Sequence, residues 1–315
     1  MHGKPGNGHI LVVRLGALGD IIHTLPAVAS LKHSYPGWRL SWAVEPKWMP
    51  LLEGNPFVDR LVPILRDSLS TILASRRERR TERYDVAVDF QGLLKSALVA
   101  SASHPGRIFG FHQSQTRERI AGLFYSDKTV SCSVHVVDRN LDLAASAGAA
   151  SALKFFPLPA GQPEGYLPAG EFVLASPLAG WGSKQWPIDH YGVLGERIRA
   201  ELGIPHVLNG PPGSGLPHNS GLPGLIAATR RAAAVIGIDS GPIHIAAALA
   251  KPGVAIFGPT DPARNGPYAD SIRILRSAQA ATTYKRGGVI ADSMRSISPD
   301  AVFDALKTVL GKCLV

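Results

Sequence analysis

The sequence predicts an α/β protein made of two doubly wound, Rossmann-like domains. Three observations carry that expectation. The chain has 315 residues, about two domains at roughly 150 residues each. Short apolar runs alternate with segments of helical apolar spacing along nearly all of it, the pattern of parallel α/β folds. The alternation is interrupted at Phe156–Gly170, where Pro157, Pro159, Pro163 and Pro168 with three glycines read as an interdomain linker.

Residues 1–160 open with strand Ile10–Leu15 and a helix from Asp20 to Ser34, then strands Arg39–Val44 and Arg60–Ile64 and a basic helix over Leu69–Arg83. Strand Tyr84–Phe90, helix Leu93–Ser101, strand Arg107–Phe111 and helices Glu118–Phe124 and Val134–Ala147 complete the first sheet and its cover. Residues 161–315 repeat the scheme. Strand Phe172–Ser176 leads to a helix opening at Pro187, a residue suited to a first turn whose N–H has no intrahelical partner. Its apolar face is Ile188, Tyr191, Leu194, Ile198 and Leu202, and Gly203 can end it. Strand His206–Asn209, helix Leu222–Ala232, strand Ala234–Ile238, helix Pro242–Ala250 and strands Val254–Phe257 and Ile272–Leu275 follow. Ser298-Pro299-Asp300 supplies a cap, a first-turn proline and a first-turn acid for a closing helix, 298–312, which can pack back on the N-terminal domain.

Composition narrows the function classes. Two cysteines, Cys132 and Cys313, cannot make a disulfide framework, and no C-x-x-C occurs. The apolar run Ile10–Val13 stops at Arg14, too short for a signal peptide, and no uncharged apolar stretch approaches ~20 residues. A cytoplasmic location is expected. Lys plus Arg (33) exceed Asp plus Glu (24), and the excess is +6 in residues 1–160 against +3 in 161–315. Much of it lies in Arg76, Arg77, Arg79, Arg80 and Arg83, which serve equally as a solvated helix face or as a surface for an anionic partner.

Three strand-to-helix turns could do chemistry. In Arg14-Leu15-Gly16-Ala17-Leu18-Gly19-Asp20 the glycines allow close approach to a ligand and a helix N-terminus follows. Asp20 there reads as a helix cap or as an acid/base. Ile238-Asp239-Ser240-Gly241-Pro242-Ile243-His244 ends an apolar strand in small polar residues at a helix start that suits phosphate, with His244 either a ligand contact or a core residue. Gly180-Trp181-Gly182-Ser183-Lys184 offers a lysine that can neutralise a diphosphate. The dinucleotide fingerprint, Walker A, G-x-S-x-G, Asp-x-Asp and zinc-ligand spacings are all missing, so a nicotinamide dehydrogenase or a metal-dependent site is not expected.

Taken together, Gly19–Ala27 (GDIIHTLPA), Asp89–Ser96 (DFQGLLKS), Asp239–Ala248 (DSGPIHIAAA) and Gly258–Pro262 (GPTDP) closely resemble the motifs of bacterial lipopolysaccharide heptosyltransferases, glycosyltransferase family 9, most of all its heptosyltransferase I branch. The resemblance implies a two-domain GT-B fold, with acceptor bound by residues 1–160 and nucleotide sugar by residues 161–315. It further implies inverting, metal-independent transfer of heptose from ADP-heptose to the Kdo of a lipid A-linked inner core, without a cofactor. Asp20 matches the general base. Gly180, Lys184, Asp239, Ser240, Gly241 and His244 match the donor side, and Gln91, Arg117 and His135 the acceptor side. The acceptor would bring the protein to the cytoplasmic face of the inner membrane as a peripheral enzyme; no nucleic acid is expected.

Two stretches depart from the family pattern. The connection Gly210–Gly221 is short and lacks the family's glutamate, and no Arg-Arg-Trp follows Pro63. The competing readings are a nucleotide-sugar epimerase on the same fold and a non-catalytic nucleotide-sugar or glycolipid-binding protein.

Overall fold

The computed structural model describes residues 7–65, 83–283 and 286–311. The chain divides into residues 1–159 and 160–315. The basic helix expected over Leu69–Arg83, with Arg76, Arg77, Arg79 and Arg80, lies outside the described residues apart from Arg83.

The first unit holds a six-stranded, wholly parallel sheet. Its strands are β1 (His9–Val13), β2 (Arg39–Val44), β3 (Arg60–Pro63), β4 (Val86–Asp89), β5 (Arg107–Phe111) and β6 (Asp127–Thr129), in the order β3-β2-β1-β4-β5-β6. Every residue of β1 and β4 is buried, as expected of strands covered on both faces. Helices α1 (Leu18–Ser34), α2 (Leu94–Ala102) and α3 (Val136–Ser146) cover it. The amide of Asn140 on α3 donates to the His23 carbonyl on α1 at 3.0 Å. The expected helix Glu118–Phe124 is one tight 3₁₀ segment, Arg119–Phe124, and Pro46–Leu51 adds another. Strand β6 has three residues, Asp-Lys-Thr, too few and too polar to show an apolar period.

The second unit repeats the plan. Strands β7 (Val173–Ser176), β8 (His206–Gly210), β9 (His218–Asn219), β10 (Ala234–Ile238), β11 (Gly253–Phe257) and β12 (Ile272–Arg276) form a parallel sheet ordered β12-β11-β10-β7-β8-β9. Around it lie α4 (Ile188–Leu202), α5 (Leu222–Arg231), α6 (Gly241–Ala248), the single turns α7 (Pro262–Asn265) and α8 (Asp292–Arg295), and α9 (Pro299–Gly311). Pro187 is the N-cap of α4 and not its first helical residue, and Gly203 ends it in the left-handed conformation at φ 69°. Tyr191, Leu194 and Ile198 enter the core, while Ile188, expected on the same face, is exposed.

The closing helix belongs to this core as well. Val302, Phe303, Leu306 and Val309 of α9 pack with Ile236, Ile256, Tyr191 and Ile198, so the apolar face that the sequence left free to return to the N-terminal domain is used within the second unit. The expected linker also becomes part of this unit beyond Pro159. Glu164 accepts the Gly221 and Gly224 N–H groups at 2.6 and 3.0 Å and caps α5.

Candidate active site

In doubly wound sheets, ligands bind at the carboxyl ends of strands where the strand order reverses. In the first sheet that point lies between β1 and β4. The turn after β1 carries Asp20 in the first turn of α1, where Oδ2 accepts the Ala17 N–H at 3.1 Å. The other oxygen, Oδ1, pairs with Arg14 Nη2 at 2.7 Å. Arg14 is buried and also donates to the Phe90 carbonyl at the end of β4. Asp20 itself keeps 47% of its side chain exposed. It is a cap that also keeps a solvent-facing carboxylate.

The loop after β4 is built around a different carboxylate. Asp89 is fully buried and accepts the Tyr125 and Ser96 hydroxyls at 2.7 Å each, and the Gln91 and Gly92 N–H groups at 2.9 and 3.4 Å. Burial pushes its carboxyl above the usual range against the pull of those four donors. The same environment raises the Tyr125 phenol, through burial first and the Asp89 charge second. Gly110 makes this network possible, because a Cβ there would overlap the Tyr125 ring. The network fixes Gln91, whose Oε1 accepts the Leu15 N–H at 2.7 Å beside the Asp20 turn.

His135 is the N-cap of α3, where Nδ1 accepts the Val137 N–H at 3.1 Å. Its ring meets His23 edge-on at 5.6 Å, one helical turn beyond Asp20 on α1. The first unit therefore brings Asp20, Gln91 and His135 to neighbouring positions. Arg117 stands apart: it is exposed after β5, and no described hydrogen bond or ion pair joins it to this group.

In the second sheet the order reverses between β7 and β10. Lys184 follows β7 and Asp239 follows β10, and they form an ion pair at 2.5 Å across that point, both largely buried. Thr260, after β11, donates to the same Asp239 oxygen at 2.6 Å. Three strand ends thus converge on one carboxylate. Lys184 also lies 4.4 Å from the centre of the Trp181 ring. Ser240 is the N-cap of α6, Gly241 its first residue, and His244 is buried one turn on. The hydroxyls of Ser240 and Ser183 are buried and find no hydrogen-bond partner among the described residues. Gly180 lies in the open turn after β7, where an added Cβ would touch nothing.

The short connection Gly210–Gly221 is firmly held. Ser220 Oγ donates to Asn209 Oδ1 at 2.9 Å, and the His218 ring bridges Asn209 at 2.8 Å and the Glu164 carbonyl at 2.9 Å. Among the described residues no group of three His, Cys, Asp or Glu side chains could hold a metal ion, and no helix is long and apolar enough to cross a membrane.

Sequence reasoning missed several members of both clusters. Arg14 carried a signal, as a charge ending an apolar strand. Thr260 stood in a quoted motif without a role. Arg286, which lies 5.7 Å from the centre of the Trp181 ring, carried no local signal.

The profile of Glycosyltransferase family 9 (heptosyltransferase) matches residues 72–203 and 217–290. The chain belongs to this family. Lipopolysaccharide heptosyltransferase 1 of Escherichia coli (strain K12) is 29% identical over 304 residues, 85% of this chain and 93% of that protein. The enzyme of the same name from Pseudomonas aeruginosa is 30% identical over 296 residues, 83% of this chain and 82% of that one. Among solved structures, E. coli heptosyltransferase WaaC with ADP-2-deoxy-2-fluoro heptose superposes with a TM-score of 0.74 at 25% identity, covering 95% of this chain and 99% of that one. The two parallel six-stranded sheets are those of a GT-B fold, and this family 9 chain is a glycosyltransferase of the heptosyltransferase kind.

Proposed function

We propose that this family 9 enzyme transfers heptose from ADP-heptose to the Kdo of a lipid A-linked lipopolysaccharide inner core, by one inverting displacement without a metal ion. The observation that carries the chemistry is Asp20, half-exposed at the switch point of the first sheet and oriented by Arg14 and the Ala17 N–H. On this reading Asp20 removes the proton of an acceptor hydroxyl as that oxygen attacks the anomeric carbon opposite ADP. The bond to the diphosphate oxygen breaks in the same step, and the leaving charge meets Lys184 and the N–H groups at the start of α6. Residues 1–159 then bind acceptor, through Gln91, Arg117 and His135. Residues 160–315 bind donor, through Gly180, Lys184, Asp239, Ser240, Gly241 and His244.

The donor assignment is supported by the heptosyltransferase relatives and by the ADP-heptose analogue named for the solved one. A lipid-linked acceptor also requires contact with an anionic membrane surface. Exposed Ile120 and Leu123 beside exposed Arg117 and Arg119 offer apolar and basic groups suited to it.

The test is ADP release from ADP-heptose with and without Kdo-lipid A. Acceptor-dependent release with a heptosylated lipid product is expected. Isomerisation of the donor without acceptor would replace this reading by the epimerase, and binding without turnover by the non-catalytic protein.

A further inference from the structure

We infer that Arg286 is a second donor-binding cation, which engages the diphosphate of the nucleotide sugar alongside Lys184; this rests on the ADP-heptose reading above. The need for it follows from charge. A nucleoside diphosphate carries at least two negative charges, and a site without a metal must meet them with side chains and N–H dipoles. Lys184, the cation at the switch point, is already matched by Asp239 at 2.5 Å. That pair presents little net positive charge to a ligand.

Arg286 supplies the difference. Its guanidinium lies 5.7 Å from the centre of the Trp181 ring, the same indole that Lys184 approaches at 4.4 Å. Two cations therefore share one aromatic ring in the turn after β7, and no described carboxylate pairs with Arg286. Its position is built into the backbone. The Ser183 N–H donates to the Gly287 carbonyl at 3.0 Å, and the Ala291 N–H donates to the Ser183 carbonyl at 3.4 Å. Gly182 lies so close to Gly288 that a Cβ there would overlap the Gly288 carbonyl oxygen. These contacts fasten the segment that follows Arg286 to the Lys184 turn.

The buried Ser183 hydroxyl, which has no hydrogen-bond partner among the described residues, sits in that same turn. A guanidinium is also the better match for phosphate, since its planar fork donates two parallel hydrogen bonds where an ammonium acts as a point charge.

The experiment is calorimetric titration of the full chain with ADP and with AMP. Arg286→Gln should weaken ADP by about ten- to a hundredfold, the scale of a charge-assisted hydrogen bond. AMP binding should change by less than about twofold, a difference well under 1 kcal/mol. Arg286→Lys, which restores charge without the fork, should fall between. Wild-type ADP affinity in Arg286→Gln would overturn the assignment. Equal losses for ADP and AMP would also overturn it, by showing that the side chain supports the turn and not the diphosphate. If the wild-type chain bound no ADP at all, the donor reading itself would fail.

Discussion

Replacing Asp20 by Asn separates its two roles, because the amide oxygen can still accept the Ala17 N–H while the charge and the basic oxygen disappear. The structural loss is the ion pair to Arg14. Asp20 is about half exposed, which limits the pair to roughly 1 kcal/mol, and buried Arg14 left without its counter-charge raises the cost to about 2 kcal/mol. From a total stability of about 5–15 kcal/mol, that leaves about 99% or more of the molecules folded at 25 °C. Loss of a general base costs about 10²–10⁴ in rate, or about 3–5 kcal/mol of transition-state stabilisation. The two effects are therefore separable: kcat should fall at least a hundredfold with saturating ADP-heptose and Kdo-lipid A, while the melting temperature drops by only a few degrees. Turnover within about threefold of wild type, normalised to folded protein, would refute the base assignment and leave Asp20 as a cap.

Lys184→Ala should raise the KM for ADP-heptose about tenfold or more, and EDTA should leave wild-type turnover unchanged; activity lost to EDTA and restored by a divalent ion would overturn the metal-free mechanism. Burial depresses the His206 imidazole from 6.5 to about 4. Between those values the unfolded chain holds a proton that the folded chain does not, so stability is full above pH 6.5 and falls as pH drops towards 4, by up to about 3 kcal/mol. His206→Leu should lose less stability than wild type between pH 7 and 4.5 in urea melts, and equal losses would remove His206 as the cause. Tyr125→Phe should cost about 1–3 kcal/mol in chemical denaturation by stripping one donor from buried Asp89; an unchanged midpoint would show that the Asp89 network is not under tension from its burial.

Much of this fold is legible in one dimension because parallel strands buried on both faces must be largely apolar, and β1, β2, β4, β7, β10 and β11 are largely so. The elements that escape are those without that constraint. Strand β9 has two residues, His218 and Asn219, held by side-chain bonds to Asn209 and Glu164. The site divides the same way. Asp20, Lys184, Asp239 and Ser240 sit at strand-to-helix turns, where small residues and a helix start mark the place. Their partners come from other strands: Thr260 lies 21 residues from Asp239, and Tyr125 lies 36 from Asp89. Such pairings depend on strand order, which no local pattern contains.

Each unit places an ion pair at its switch point, within the turn after β1 in the first and between two turns in the second. Neighbouring strands diverge there in their connections, so side chains from two different turns can meet without a loop crossing between them. In the first unit Arg14 links the turn after β1 to the Phe90 carbonyl at the end of β4, and in the second Lys184 links the turn after β7 to Asp239 after β10. Neither pair is a strong source of stability, since desolvation offsets most of its attraction. On the proposed mechanism, each would hold its group in one orientation before substrate arrives, and that ordering would lower the reorganisation required in the transition state. On the proposed donor assignment, an apolar pair of equal volume at 184 and 239 would therefore keep the second sheet folded and still lose the donor, whereas an unpaired charge at either position would weaken donor binding and also cost stability.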